Sequence, residues 1–162
     1  MDTVKNLVSE PEYRIPDSPK VSVTGLYHTS FRIDDIQKAL DLYCGILGCK
    51  CLRVIQEPPT EMLFLGLPDG NTVIAIRYRN RKPILHGSNE RGDENGEHTA
   101  FKVATIEAYD RMLGQLAEYG LKPFHSLDRR PPAVKPGREA YFEDPNGRHI
   151  FEIRAPLPGS DH

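Results

Sequence analysis

His28-Thr29-Ser30-Phe31-Arg32-Ile33 is matched seventy residues later by His98-Thr99-Ala100-Phe101-Lys102-Val103, the same pattern with conservative changes. Each copy runs into a segment of helical apolar spacing that stops at a glycine, Gly48 in the first half and Gly120 in the second. Each half then reaches an Asp/Gly turn, Pro68-Asp69-Gly70-Asn71 or Asp144-Pro145-Asn146-Gly147, and one more strand-like stretch. An internal repeat of this kind means two copies of one supersecondary unit, each with a histidine at the same place.

Outward from the first copy, Val21 to Ile33 is rich in β-branched and aromatic residues and reads as a strand. Asp34 or Asp35 caps a helix whose buried stripe is Ile36, Leu40, Tyr43 and Leu47, ended by Gly48. Cys49 to Gln56, Met62 to Leu67 and Thr72 to Tyr78 follow as strands. In the second half His98 to Val103 is a strand and Thr105 an N-cap. Ile106, Tyr109, Leu113 and Leu116 mark a helix face. Strands are expected near Lys122 to Ser126, Glu139 to Glu143 and Arg148 to Arg154, with a proline- and arginine-rich loop from Leu127 to Gly137. The fold class is α+β: two tandem βαβββ modules forming an eight-stranded open barrel with helices outside. Module one is 21–79, a charged linker is 80–97 and module two is 98–155. Residues 1–20 read as a surface arm and 156–162 as a flexible tail.

The chain has 162 residues, 38% of them hydrophobic and 27% charged, which suits one globular domain with a sizeable core. Its net charge of −2 offers no basic footprint for nucleic acid. No apolar run reaches membrane-spanning length, and the first residues lack the order of a signal peptide. Cys44, Cys49 and Cys51 form no C-x-x-C pair and read as structural thiols, so a reducing cytoplasm is the expected compartment.

Strand alternation puts His28 on the face opposite Phe31 and Ile33, and His98 on the face opposite Phe101 and Val103. The apolar sets face the helices, so both histidines belong to the concave side. In the last strand Ile150, Glu152 and Arg154 share that side, whereas Phe151, Ile153 and His149 are turned away. Counting five residues on from Gly70 and from Gly147 pairs Ala75 with Glu152, so the fourth pseudo-symmetric position is apolar. Two imidazoles and one carboxylate make a facial triad with open coordination positions, a set that favours non-haem Fe(II) and catalysis over structure.

These features resemble the vicinal oxygen chelate superfamily of glyoxalases, fosfomycin- and bleomycin-resistance proteins and type I extradiol dioxygenases. The resemblance runs from Gly25 to Ala155 and rests on the twin His-Thr-x-Phe strands and on Tyr141-x-x-Asp144-Pro145-x-Gly147-x-x-x-x-Glu152. It implies His28, His98 and Glu152 as metal ligands. Glyoxalases usually have a fourth ligand where Ala75 is aligned here, and bleomycin-binding members lack the ligand set.

Extradiol dioxygenases use His, His and Glu with no fourth protein ligand and a tyrosine four residues before the turn proline, the spacing of Tyr141. In size the chain resembles the small single-module L-DOPA 2,3-dioxygenases. The resemblance therefore implies Fe(II)-dependent cleavage of a catechol by O2, with Tyr141 beside the reacting groups. His86 or His125 would supply acid–base chemistry, with His86 marginally preferred. Arg77, Arg79 and Arg154, by the same concave parity, are candidates for a substrate carboxylate. The alternatives are a Mn(II) thiol transferase acting on fosfomycin and a non-enzymatic antibiotic-binding protein. Superfamily members hold the metal either within one chain or between swapped halves of a homodimer, and the sequence leaves both open.

Overall fold

The computed structural model describes residues 21–79, 97–131, 135–147 and 149–159. Its elements run β1 (His28–Arg32), α1 (Ile36–Ala39), a π-helical continuation (Leu40–Ile46), β2 (Lys50–Glu57), β3 (Thr60–Gly66), β4 (Thr72–Tyr78), β5 (Thr99–Lys102), α2 (Ile106–Tyr119), β6 (His125–Arg129), β7 (Gly137–Glu143) and β8 (Ile150–Pro156). Two four-stranded mixed sheets result, β1-β4-β3-β2 and β5-β8-β7-β6, with only the first pair of each parallel. This is the expected βαβββ repeat, and the sheets stay open instead of closing into a barrel.

Local chemistry sets the helix ends. The Asp35 carboxylate accepts the Lys38 N–H, and the Thr105 hydroxyl accepts the Ala108 N–H, so each helix begins on a side-chain cap. Gly120 closes α2 with φ +98°, a left-handed conformation that costs glycine nothing.

Several element boundaries differ from the sequence reading, β6 starting at His125 instead of near Lys122 and β7 at Gly137 instead of Glu139 among them. The first strand begins at His28, not Val21: Val21, Val23, Leu26 and Tyr27 lie exposed and outside the sheet, so their β-propensity finds no partner strand. The loop expected from Leu127 is strand as far as Arg129, because Leu127, Asp128 and Arg129 pair with β7. The last strand starts at Ile150 instead of Arg148. The arm 1–20 and most of the linker lie outside the described residues.

Phe31, Leu63, Leu65, Val73 and Ala75 of the first sheet join Phe101, Ala140, Phe142, Phe151 and Ile153 of the second in one buried cluster with Leu42, Tyr43, Tyr109 and Leu116. The Tyr43 ring lies 5.0 Å from Phe31, 6.3 Å from Phe101 and 6.4 Å from Phe151. The helix-bearing sides of both sheets therefore look into a common core. The opposite faces, which carry His28 in one module and Glu152 in the other, look away from it.

Candidate metal centre

The polar face of module two is set by register. Tyr141 lies opposite Glu152, Glu139 opposite Arg154, and His125 opposite Tyr141. Ala140, Phe142, Phe151 and Ile153 alternate with these residues and enter the core, so the polar set is held on the other side. His98 immediately precedes β5, and its Nε2 comes within 3.1 Å of Glu152 Oε2. The Tyr141 ring stands edge-on to His98 at 5.4 Å and lies 6.0 Å from the His125 ring.

The electrostatics follow from burial. Glu152 is 2% exposed, and desolvation raises its carboxyl pKa, helped by the nearby Glu139 charge and opposed by Arg154 and His98. Its Oε1 makes no hydrogen bond, and Arg154 Nη1 lies 3.5 Å away as an ion-pair contact. Burial also pushes the Tyr141 phenol up to about 12, a rise that Arg129 opposes and Glu139 assists. The hydroxyl thus keeps its proton and donates it to Glu139 Oε2 at 2.9 Å.

An imidazole nitrogen and a carboxylate oxygen in contact, with the second carboxylate oxygen unbonded, are donors that fit a divalent cation. His28 does not join them. It is exposed at the start of β1, beside Tyr27. Among the described residues no group of three or more His, Cys, Asp or Glu side chains converges closely enough to hold a metal ion. His28 and His98 do stand on the walls of one cleft of about 1090 Å³, together with Asp69, Lys102 and Lys135.

The structure corrects the pairing of Ala75 with Glu152. The His28 strand is aligned so that Ser30 meets Ile74 and Phe31 meets Ala75; in module two Ala100 meets Glu152 and Phe101 meets Ile153. The counterpart of Glu152 is therefore Ile74, and Ala75 corresponds to the core residue Ile153. Counting from the turn glycines fails because the second turn carries one more residue before its strand. The fourth position remains apolar.

Arg77 also falls on the helix-facing parity of Val73 and Ala75, not on the concave side. Arg77 Nη1 and Arg79 Nη2 both close on Glu61, at 2.6 and 2.5 Å. Arg154 is held by Glu139 Oε1 at 2.5 Å and donates to the Lys135 carbonyl. None of the three points a bare guanidinium at a substrate.

His149 stacks on Phe31 at 4.1 Å with 3° between planes, away from Glu152 as its parity requires. His86 lies outside the described residues. Sequence reasoning missed Glu139 and Arg129; the parity that put Tyr141 in the site would have carried Glu139, two residues earlier, to the same face. Of the cysteines, Cys49 is buried, Cys44 half-buried and Cys51 exposed, and none forms a disulfide.

Residues 25–153 match the family described as the Glyoxalase/Bleomycin resistance protein/Dioxygenase superfamily. The chain belongs to this superfamily. A probable lactoylglutathione lyase from Synechocystis sp. is 30% identical over 136 residues, covering 80% of the chain and 94% of that protein. A lactoylglutathione lyase from Pseudomonas aeruginosa is 26% identical over 154 residues, 82% of the chain and 83% of that protein.

Among solved structures, a glyoxylase/bleomycin resistance protein/dioxygenase domain from Frankia sp. superposes with a TM-score of 0.67 at 20% identity, over 85% of the chain and 96% of that domain. The fosfomycin resistance protein FosX from Listeria monocytogenes, in complex with Mn(II) and sulfate, gives 0.61 at 18% identity with the same coverage. These superpositions establish the fold. No helix among the described residues is long and apolar enough to cross a membrane.

Proposed function

We propose that this superfamily member is a divalent-metal enzyme whose ligands are His28, His98 and Glu152, and that it cleaves a catechol beside its hydroxyls with O2. The observation that carries the reading is the His98–Glu152 pair at 3.1 Å with Tyr141 beside it and Ile74 at the fourth position. Three protein donors leave coordination positions for a bidentate substrate and a second reactant. Fe(II), when bound there, supplies Lewis acidity and one-electron redox chemistry at those positions.

The remaining work falls to side chains. Tyr141 holds its proton and presents an edge-on ring to His98, forming one wall of the site. An imidazole that titrates near neutrality is suited to take a catechol proton and return it. His125 has the support of its 6.0 Å contact with Tyr141, while His86 remains the loop candidate. Both atoms of O2 end in a ring-opened hydroxy-semialdehyde.

Although His28 and His98 line one cleft of this chain, His28 does not converge with His98 and Glu152, so a second copy of the chain is the proposed source of the third ligand. Two-fold association would form two sites, each with His28 from one copy and His98 and Glu152 from the other. L-DOPA, suggested by single-module size, is assayed beside catechols without a carboxylate, since among the described residues Arg129 and Arg154 are already engaged by Glu139.

A glutathione-adduct isomerase is the second reading, favoured by the relatives named lactoylglutathione lyase. The apolar Ile74 weighs against it, since glyoxalases usually carry a Glu or Gln ligand there. Anaerobic loading with Fe(II), followed by air and a panel of catechols, should give yellow ring-cleavage products. Turnover of methylglyoxal with glutathione, and of no catechol, would overturn ring cleavage in favour of the isomerase.

A further inference from the structure

Glu139 has no place in the chemistry above, yet it is the most enclosed charge on the site's face, fully buried. Three donors converge on its carboxylate: Arg154 Nη1 at 2.5 Å, Arg129 Nε at 2.8 Å and the Tyr141 hydroxyl at 2.9 Å. Two guanidinium groups and a phenol at this spacing are a donor set suited to a carboxylate or phosphonate ligand. Here the chain fills it with a carboxylate of its own. Gly137, two residues before Glu139 on the same strand, leaves the space for that seat. A side chain at Gly137 would come within 3.1 Å of Arg154 Nε and 2.8 Å of the Ala155 carbonyl, so only glycine leaves Arg154 its position.

The charges then balance: Arg129 and Arg154 against Glu139 and Glu152. A substrate bringing a second negative group toward Tyr141 would meet a buried carboxylate whose cations are already taken. It would lose its own hydration and find no cation left to pair with. The Glu61 cluster in module one differs, because Glu61, Arg77 and Arg79 lie on the helix-facing parity of their sheet.

We propose that Glu139 is a specificity residue, a built-in anion that closes the site to substrates with a second anionic group and selects catechols with an uncharged ring substituent. The substrate part rests on the ring-cleavage reading; the anion seat does not.

The test uses the full-length wild type and the Glu139→Ala and Glu139→Gln variants. In metal-free protein, melting is followed against sodium acetate and inorganic phosphate, with chloride at matched ionic strength. Acetate or phosphate should raise the melting temperature of Glu139→Ala in a saturable way and leave the wild type unmoved. If Glu139→Ala does not fold, calorimetric binding of phosphate to Glu139→Gln takes its place, with the wild type binding none. In Fe(II)-loaded protein, kcat/KM for 4-methylcatechol should exceed that for 3,4-dihydroxybenzoate by at least about tenfold in the wild type, and the ratio should collapse in Glu139→Gln. Catechol cleavage with no anion rescue or binding and no change of ratio overturns the inference alone. Anion rescue or binding in a protein that cleaves no catechol upholds the seat and overturns the ring-cleavage reading.

Discussion

Asn146, in the turn of module two, braces Asp35, the N-cap residue of the module-one helix. Its side-chain oxygen accepts the Asp35 N–H at 2.8 Å and the Asp34 N–H at 3.0 Å, and its amide donates to the Asp35 carbonyl at 2.9 Å. The turn is pressed so closely that a Cβ at Gly147 would stand 2.4 Å from the Arg32 carbonyl oxygen, at a φ of +95°. Asn146→Ala should therefore cost about 1–3 kcal/mol of stability, since it strips partners from part-buried backbone groups. Gly147→Ala should cost about 1–3 kcal/mol from the left-handed backbone alone, with the clash added. Denaturant melts check both, and a neutral result at Gly147 would mean that the modules are not locked through this turn.

Beside that turn the buried Asp144 accepts the Tyr43 hydroxyl at 2.8 Å, and burial pushes its carboxyl from the usual range up to about 6. A carboxyl whose folded pKa lies above its unfolded value contributes stability that is complete below the unfolded pKa, near 3.8, and is lost as pH rises through about 6. The stability of wild type relative to Asp144→Asn should accordingly fall between pH 4 and pH 7. A difference that stays flat across that window would show that Asp144 titrates normally.

The register that pairs Ile74 with Ser30 makes a discriminating pair of substitutions. Ile74→Glu should offer the metal a fourth donor, tighten metal binding and suppress ring cleavage by filling an open position. Ala75→Glu would bury an unpaired carboxylate against Leu63 and should unfold the protein or lower its stability by several kcal/mol. Metal titration and melting of both variants check this. The reverse outcome would return the fourth position to Ala75.

The repeat was legible because strand parity and helix caps are local: His28, His98, Glu152, Thr105 and Gly120 each follow from neighbours a few residues away. The Ile74 pairing was not, because it depends on how many residues the turn before each last strand takes up. The arginines were misread for a related reason. Arg77, Arg79 and Arg154 choose partners across strands, Glu61 and Glu139, and a single sequence carries no register between strands. The Asn146–Asp35 contact joins residues more than a hundred apart and leaves no local trace at all.

Sharing of the site between two copies can be tested by complementation. Co-expressed His28→Ala and Glu152→Ala chains, each without metal affinity alone, should recover about a quarter of wild-type sites if a two-fold dimer forms at random. No recovery would place all three ligands within one chain.

Anaerobic Fe(II) titration of the wild type, His28→Ala, His98→Ala, Glu152→Ala and His149→Ala bears most directly on the metal centre. The expected result is about one equivalent per chain in the wild type, loss of binding in the first three variants, and full binding in His149→Ala despite its lost stack on Phe31. Wild-type protein that binds no Fe(II), or undiminished binding in any of the three ligand variants, would contradict the assignment of His28, His98 and Glu152 as one metal site.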